Sequence, residues 1–260
     1  MIDISFPQAV HFSILLTGLL PGIYYLYASR QLAKLLAWDS GPGSGLKSVS
    51  AAFAAGMAVL IIIELSLYLL GMRQADPDLG NGIFNFMRVI IKAGVTGCIV
   101  GATEEILYRG AIFTGLARYS NYLLALIISS LFYGAVHFID FPPLPAGTAV
   151  SWLSGLGVLA GAFHQFTDPQ ILDSLFALTV LGMLFGLLRW HSGTIISCAG
   201  LHAGIVAANK IFSYATDFRP GSHYAYLVNS HDHQTGILAG IWLLLLCGCY
   251  YYFVMKKSNT

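Results

Sequence analysis

Glu104-Glu105-Ile106-Leu107-Tyr108-Arg109 interrupts sequence that is otherwise apolar on both sides. Two carboxylates and an arginine stand together in a chain whose charged residues make up only 10% of 260. Glutamate occurs three times in the chain, and two of the three are here. Ionisable groups inside apolar segments are costly, and they mark functional sites. The apolar runs around the hexapeptide set the fold class; the hexapeptide itself is where chemistry is expected.

Working outward, the chain is 57% hydrophobic, with a mean hydropathy of +0.72. A soluble domain is about half apolar and about a quarter charged, so this composition excludes that class. The net charge of +1 leaves no electrostatic footprint for nucleic acid. Cys98, Cys198, Cys247 and Cys249 all lie in apolar segments, without zinc-site spacing or a disulfide framework.

A membrane span needs about 20 apolar residues to cross roughly 30 Å of hydrocarbon. Eight segments come close: 9–28, 49–71, 86–103, 121–139, 148–166, 172–188, 193–212 and 235–255. The expectation is an all-α, polytopic membrane protein of about eight transmembrane helices, with residues 1–260 as one membrane domain. The first segment reads as a span rather than a cleavable signal, because Met1–Gln8 carries no positive charge. Breaks fall at Gly41–Gly45, Asp76-Pro77-Asp78, Phe141–Pro145 and the polar stretch 213–234. Arg30, Lys34 and Lys47 mark the first loop as cytoplasmic under the positive-inside rule, with Arg109 and Arg118 adding to that side. With eight spans, Lys256 and Lys257 at the C-terminus then fall outside, and one miscounted span would remove the conflict.

Adjacent helical residues point about 100° apart, whereas residues four apart share a face. Glu105 and Arg109 are therefore natural partners, and Glu104 is left on another face without a local cation. An unpaired carboxylate in an apolar site suits general-base chemistry near neutral pH. Two histidines lie in apolar helices, His137 after Gly134-Ala135-Val136 and His202 between Gly200 and Gly204. Small neighbours let helices approach closely. Neither histidine has a carboxylate within a turn of its own helix, so a partner comes from another helix, and Glu104 is the obvious one. Glu64, the third glutamate, is expected to be structural, with Lys92 or Arg88 as its partner. His231-Asp232-His233 reads as a solvated loop, and His164 as interfacial.

Glu104-Glu105 followed by Arg109 resembles the EExxxR motif of the CAAX-protease and bacteriocin-processing family, which includes type II CAAX prenyl endopeptidases. Tyr133 and His137 resemble that family's second motif, an aromatic residue four before a histidine. His202 resembles the third, although Val206 stands where the family has asparagine; the nearest downstream asparagine is Asn209. The resemblance covers roughly 86–212. It implies an intramembrane endopeptidase in which Glu104 activates water, His137 orients it, and His202 helps to hold the oxyanion. Glu105, Arg109, Tyr133 and Asn209 would support these three. Seven residues of helix rise about 10 Å, against about 6 Å for four, so Asn209 lies a turn deeper than the motif position. Ser197, Ser129 and Ser130 are other possible donors.

The implied substrate is a peptide or protein, with a lipidated or membrane-anchored C-terminal tail as one class. The implied location is an integral, multi-pass membrane setting, the inner membrane if the source is bacterial. No cofactor is expected. An alternative is a zinc-dependent protease that uses Glu104, His137 and His202 as ligands. Another is a non-catalytic bacteriocin-immunity or protein-sorting accessory protein.

Overall fold

The computed structural model describes residues 17, 19–30, 44–76, 82–141, 151, 153–219, 221–228 and 234–256. Among these, helices dominate: α1 over 19–28, α2 Ser44–Leu69, α3 Ile83–Tyr119, α4 Tyr122–Val136, α5 Ser154–Gly161, α6 Leu172–Ser192, α7 Ile196–Ala215 and α8 Ile237–Met255. Among the described residues, the regular structure is helical apart from one small ribbon. Four helices among the described residues are long and apolar enough to cross a membrane: α2, α3, α6 with the turn before it, and α8. The fourth expected span is a shorter apolar helix, α4. Residues 9–16 and 18 of the first, 9–28, lie outside the described residues, as do His231, Asp232 and His233.

Two expectations change. Among the described residues, the segment 148–166 holds the eight-residue α5 and most of a 3-10 turn at His164–Thr167. Eight residues rise about 12 Å, far short of the hydrocarbon thickness. The glutamate motif, expected at a helix end, instead lies within one 37-residue helix. Ile106–Phe113 is wound there as π-helix, which widens the turns without breaking the helix. Arg109 is consequently buried in the interior and cannot count towards a loop's charge.

Helix α7 occupies the centre, packed on α2 and on α3 through small residues. A Cβ on Gly204 would strike the Phe53 carbonyl of α2, and one on Gly56 the Leu201 carbonyl. A Cβ on Gly101 would sit 2.6 Å from the Ala199 carbonyl, and one on Gly97 would strike that of Ala203. Glycine pairs four apart thus bring three backbones into contact, the small-residue mode of membrane helix packing. The contacts run 49 to 200 and 53 to 204 for α2, but 97 to 203 and 101 to 199 for α3. So α2 lies parallel to α7 and α3 antiparallel to it. On the other flank, α4 and α6 meet antiparallel where Gly182 abuts Ser130 and Gly134 abuts Thr179.

The ribbon joins Arg73–Ala75 to Thr216–Phe218, antiparallel, with Gln74 opposite Asp217. It ties the ends of α2 and α7 together. Glu64 is buried here, 3.4 Å from Arg73 and accepting from Gln234. Its structural reading stands, but the partner is Arg73; Arg88 and Lys92 are exposed on α3.

Candidate active site

Helix α3 delivers Glu104, Glu105 and Arg109 to the contact with α7, and α7 presents His202 opposite them. Arg109 and Glu105 are both completely buried. Arg109 Nη1 donates to Glu105 Oε1 at 3.3 Å, and Nη2 donates to the Gly182 carbonyl at 2.8 Å. Its guanidinium lies 4.6 Å from the Tyr133 ring centre and 5.0 Å from that of Phe185. A charge this deep persists only when paired and hydrogen-bonded, and carboxylate, carbonyl and aromatic faces together supply that.

His202 is only 4% exposed and is fixed on three sides. Its Nδ1–H donates to Glu105 Oε1 at 3.0 Å. Its ring stacks on Phe185 at 4.9 Å and 21°. Its Nε2 faces Glu104 Oε2 at 3.9 Å, beyond hydrogen-bond reach. Here sequence reasoning missed a contact: the histidine's hydrogen-bonded partner is Glu105, with Glu104 as the more distant neighbour. Since a carboxylate only accepts, the Glu105 contact puts the proton on Nδ1 and turns Nε2 towards Glu104. Glu104 Oε2 is buried without a hydrogen-bond partner.

His137 follows α4 directly, and its Nδ1–H donates to the Tyr133 carbonyl at 2.7 Å. That contact turns its Nε2 into an acceptor. Tyr133 stands between the histidines, its ring 4.7 Å from His137 and 6.1 Å from His202. Both histidines, with Tyr133, Val206 and Asn209, line one cavity of about 400 Å³. Much of its remaining wall is aliphatic, from α2, α6 and α8, while Gln165, Ser174, Gln234 and Thr235 add polar groups. The last four carry no motif, and only the fold identifies them.

Glu104 does not itself line this cavity; its Oε2 lies 3.9 Å from Nε2 of His202, which does. The substitution at 206 places an aliphatic side chain on the cavity wall, with Asn209 on the same wall one turn along. Ser213 donates to Asn209 Oδ1 at 3.1 Å, which leaves the amide N–H groups of Asn209 as donors. The other possible donors lie elsewhere: Ser197 faces a groove of α2, α6 and α8, and Ser129 and Ser130 are buried beneath the cavity wall in α4. Among the described residues, no three of His, Cys, Asp and Glu are gathered to hold a metal ion. The set Glu104, His137 and His202 therefore does not fit the tight cage that zinc requires.

Residues 86–208, somewhat under half of the chain, match the family model described as type II CAAX prenyl endopeptidase Rce1-like. The match ends just short of Asn209 and takes in Glu104, Glu105, Arg109, Tyr133, His137 and His202. No curated protein and no solved structure matches the chain.

Proposed function

We propose, from the Rce1-like type II CAAX prenyl endopeptidase domain that residues 86–208 carry, that this integral membrane protein is an intramembrane endopeptidase using Glu104, His137 and His202. The observation that carries the reading is His202, held against two carboxylates while its ring edges a cavity shared with His137. In the reaction, the oxygen of a water molecule attacks the scissile carbonyl carbon. Glu104 takes one proton of that water, and His137 Nε2 accepts a hydrogen bond from the other O–H, which stays on the oxygen, and fixes its direction. The carbonyl oxygen becomes an oxyanion next to His202, with the Asn209 amide as its donor. As the C–N bond breaks, the proton held by Glu104 passes to the leaving nitrogen. Glu105 and Arg109 do not touch substrate; Glu105 sets the tautomer and angle of His202, and Arg109 holds Glu105 in place.

The aliphatic walls exclude bulk water, which strengthens each polar contact within. The substrate is a protein or peptide; the lipidated or membrane-anchored C-terminal tail remains the proposed class. The proposed architecture has α2, α3, α4, α6, α7 and α8 crossing the bilayer with the segment 9–28, seven spans in place of eight. In a bacterial source that membrane is the inner one.

Glu104→Gln tests the mechanism. A general base contributes about 10²–10⁴-fold, so turnover of a fluorogenic peptide by protein in bilayers should fall by that order. Affinity for the peptide, read from crosslinking to the variant, should stay unchanged. Full turnover in Glu104→Gln would remove the glutamate from the chemistry and leave the accessory-protein reading.

A further inference from the structure

A second cavity, also of about 400 Å³, opens at the opposite end of the bundle from His137. Its walls come from α1, the last turns of α3, the start of α4 and the end of α6, and two arginines face into it, Arg118 and Arg189. Neither has a carboxylate partner among the described residues. Arg189 is only 9% exposed. Its Nη2 donates to Thr114 Oγ1 at 3.2 Å and its cation lies 6.0 Å from the Phe113 ring, while its Nε has no hydrogen-bond partner. The C-terminal carbonyls of α6 favour a cation at this position, but they do not satisfy that Nε. A buried guanidinium left without an acid is costly. A cost of that kind is kept where an anion completes the site.

The surroundings specify the anion. Tyr25 and Tyr122 line the cavity, with Trp190 stacked on Tyr122 at 5.4 Å and 13°. Tyrosine and tryptophan gather at the level of lipid headgroups, and planar guanidinium forks match phosphate oxygens. Basic pockets between membrane helices bind anionic headgroups on this principle. We propose that Arg118 and Arg189 form a binding site for a phosphate-bearing group, the headgroup of an anionic phospholipid, separate from the catalytic cavity. Arg189, fixed by its bond to Thr114, holds the phosphate from below, and exposed Arg118 closes on it from the rim.

The test is the melting temperature of the full chain in bilayer discs of phosphatidylcholine alone or of phosphatidylcholine and phosphatidylglycerol in equal parts. The anionic lipid should raise it by roughly 3–8 °C, the range expected for a ligand well above its dissociation constant. Arg118→Gln, at an exposed position, should abolish most of the rise. Arg88→Gln, on an exposed face at the other end of α3, should leave it intact. A parallel arm adds inorganic phosphate to protein in neutral detergent. A rise there that Arg118→Gln abolishes also supports the pocket and assigns it to a free anion, whereas a rise with the lipid alone assigns it to the headgroup. No rise in either arm, or a rise that survives Arg118→Gln or is lost equally in Arg88→Gln, overturns the proposal.

Discussion

One oxygen of Glu105, Oε1, accepts from both Arg109 and His202. The residue therefore joins the charge that stabilises the helix contact to the ring that faces the cavity. The two roles separate by mutation. Glu105→Gln keeps an acceptor for His202 and a near-isosteric shape but loses the negative charge. By analogy with residues that orient a ligating histidine, activity should fall about 10–100-fold with the fold intact. Glu105→Leu removes the acceptor and leaves Arg109 buried and uncompensated, a loss of about 3–5 kcal/mol. Circular dichroism melts beside a peptide-cleavage assay measure both, and equal melting of the two variants would deny Glu105 its share in the packing. The sequence marks this pair well, because i,i+4 spacing pairs Glu105 with Arg109 whatever the rest of the chain does. It cannot show which carboxylate His202 takes, since that depends on the rotation of α7 about its axis against α3. Glycines 97 and 101 set that rotation, and no pattern of charges encodes it.

At the scale of elements, the glycine contacts of α7 do the work that apolar burial does in a soluble core. Helix α7 has the length of a span, yet it does not appear among the four long apolar ones. Small residues, His202, Asn209 and Lys210 lower its hydropathy. It tolerates this because α2 and α3 cover much of it, so packing rather than greasiness holds it. Gly101→Ala places a methyl 2.6 Å from the Ala199 carbonyl, and overpacking against backbone costs at least about 1–3 kcal/mol. Gly94, on the same helix, has nothing within 4 Å of such a methyl. Gly94→Ala should leave stability level or raise it by about 0.4–1 kcal/mol. Opposite shifts of melting temperature in detergent would support this clamp, and parallel shifts would point to helix propensity alone. Apolar run length made most of these helices legible. It failed at 148–166, where the eight-residue α5 shows that greasiness does not specify one continuous helix. It also gave no hint of the ribbon, whose three-residue strands are too short for any alternation to register.

At the scale of the whole molecule, helix directions sort the charges. Helices α2, α4 and α7 run one way, and α3, α6 and α8 the other, as the contacts of Gly204 with Phe53, Gly101 with Ala199, Gly182 with Ser130 and Gly240 with Phe176 require. The end where α2 starts and α8 finishes carries Lys47, Arg118, Arg189 and Lys256, with Arg30 at the end of α1. Among the described residues no Asp or Glu accompanies them there. The ribbon end carries Asp76, Asp140, Asp168, Asp173 and Asp217 among its basic residues. The conflict between Lys47 and Lys256 existed only because 148–166 was taken as a crossing; without it, both fall on one side. The positive-inside rule then predicts that side to be cytoplasmic, where anionic lipids are also concentrated. The cavity of His137 and His202 lies towards the other end, between the C-terminal turn of α4 and the middle of α7, and the expected route for a peptide is from the side of the ribbon. Single cysteines at Lys47 and Gln74 test this arrangement, with the parent chain as the blank for Cys98 and Cys249. In intact cells a membrane-impermeant maleimide should label Gln74→Cys, and it should label Lys47→Cys only after permeabilisation. The reverse pattern would turn the molecule over and bring its substrate from the cytoplasm.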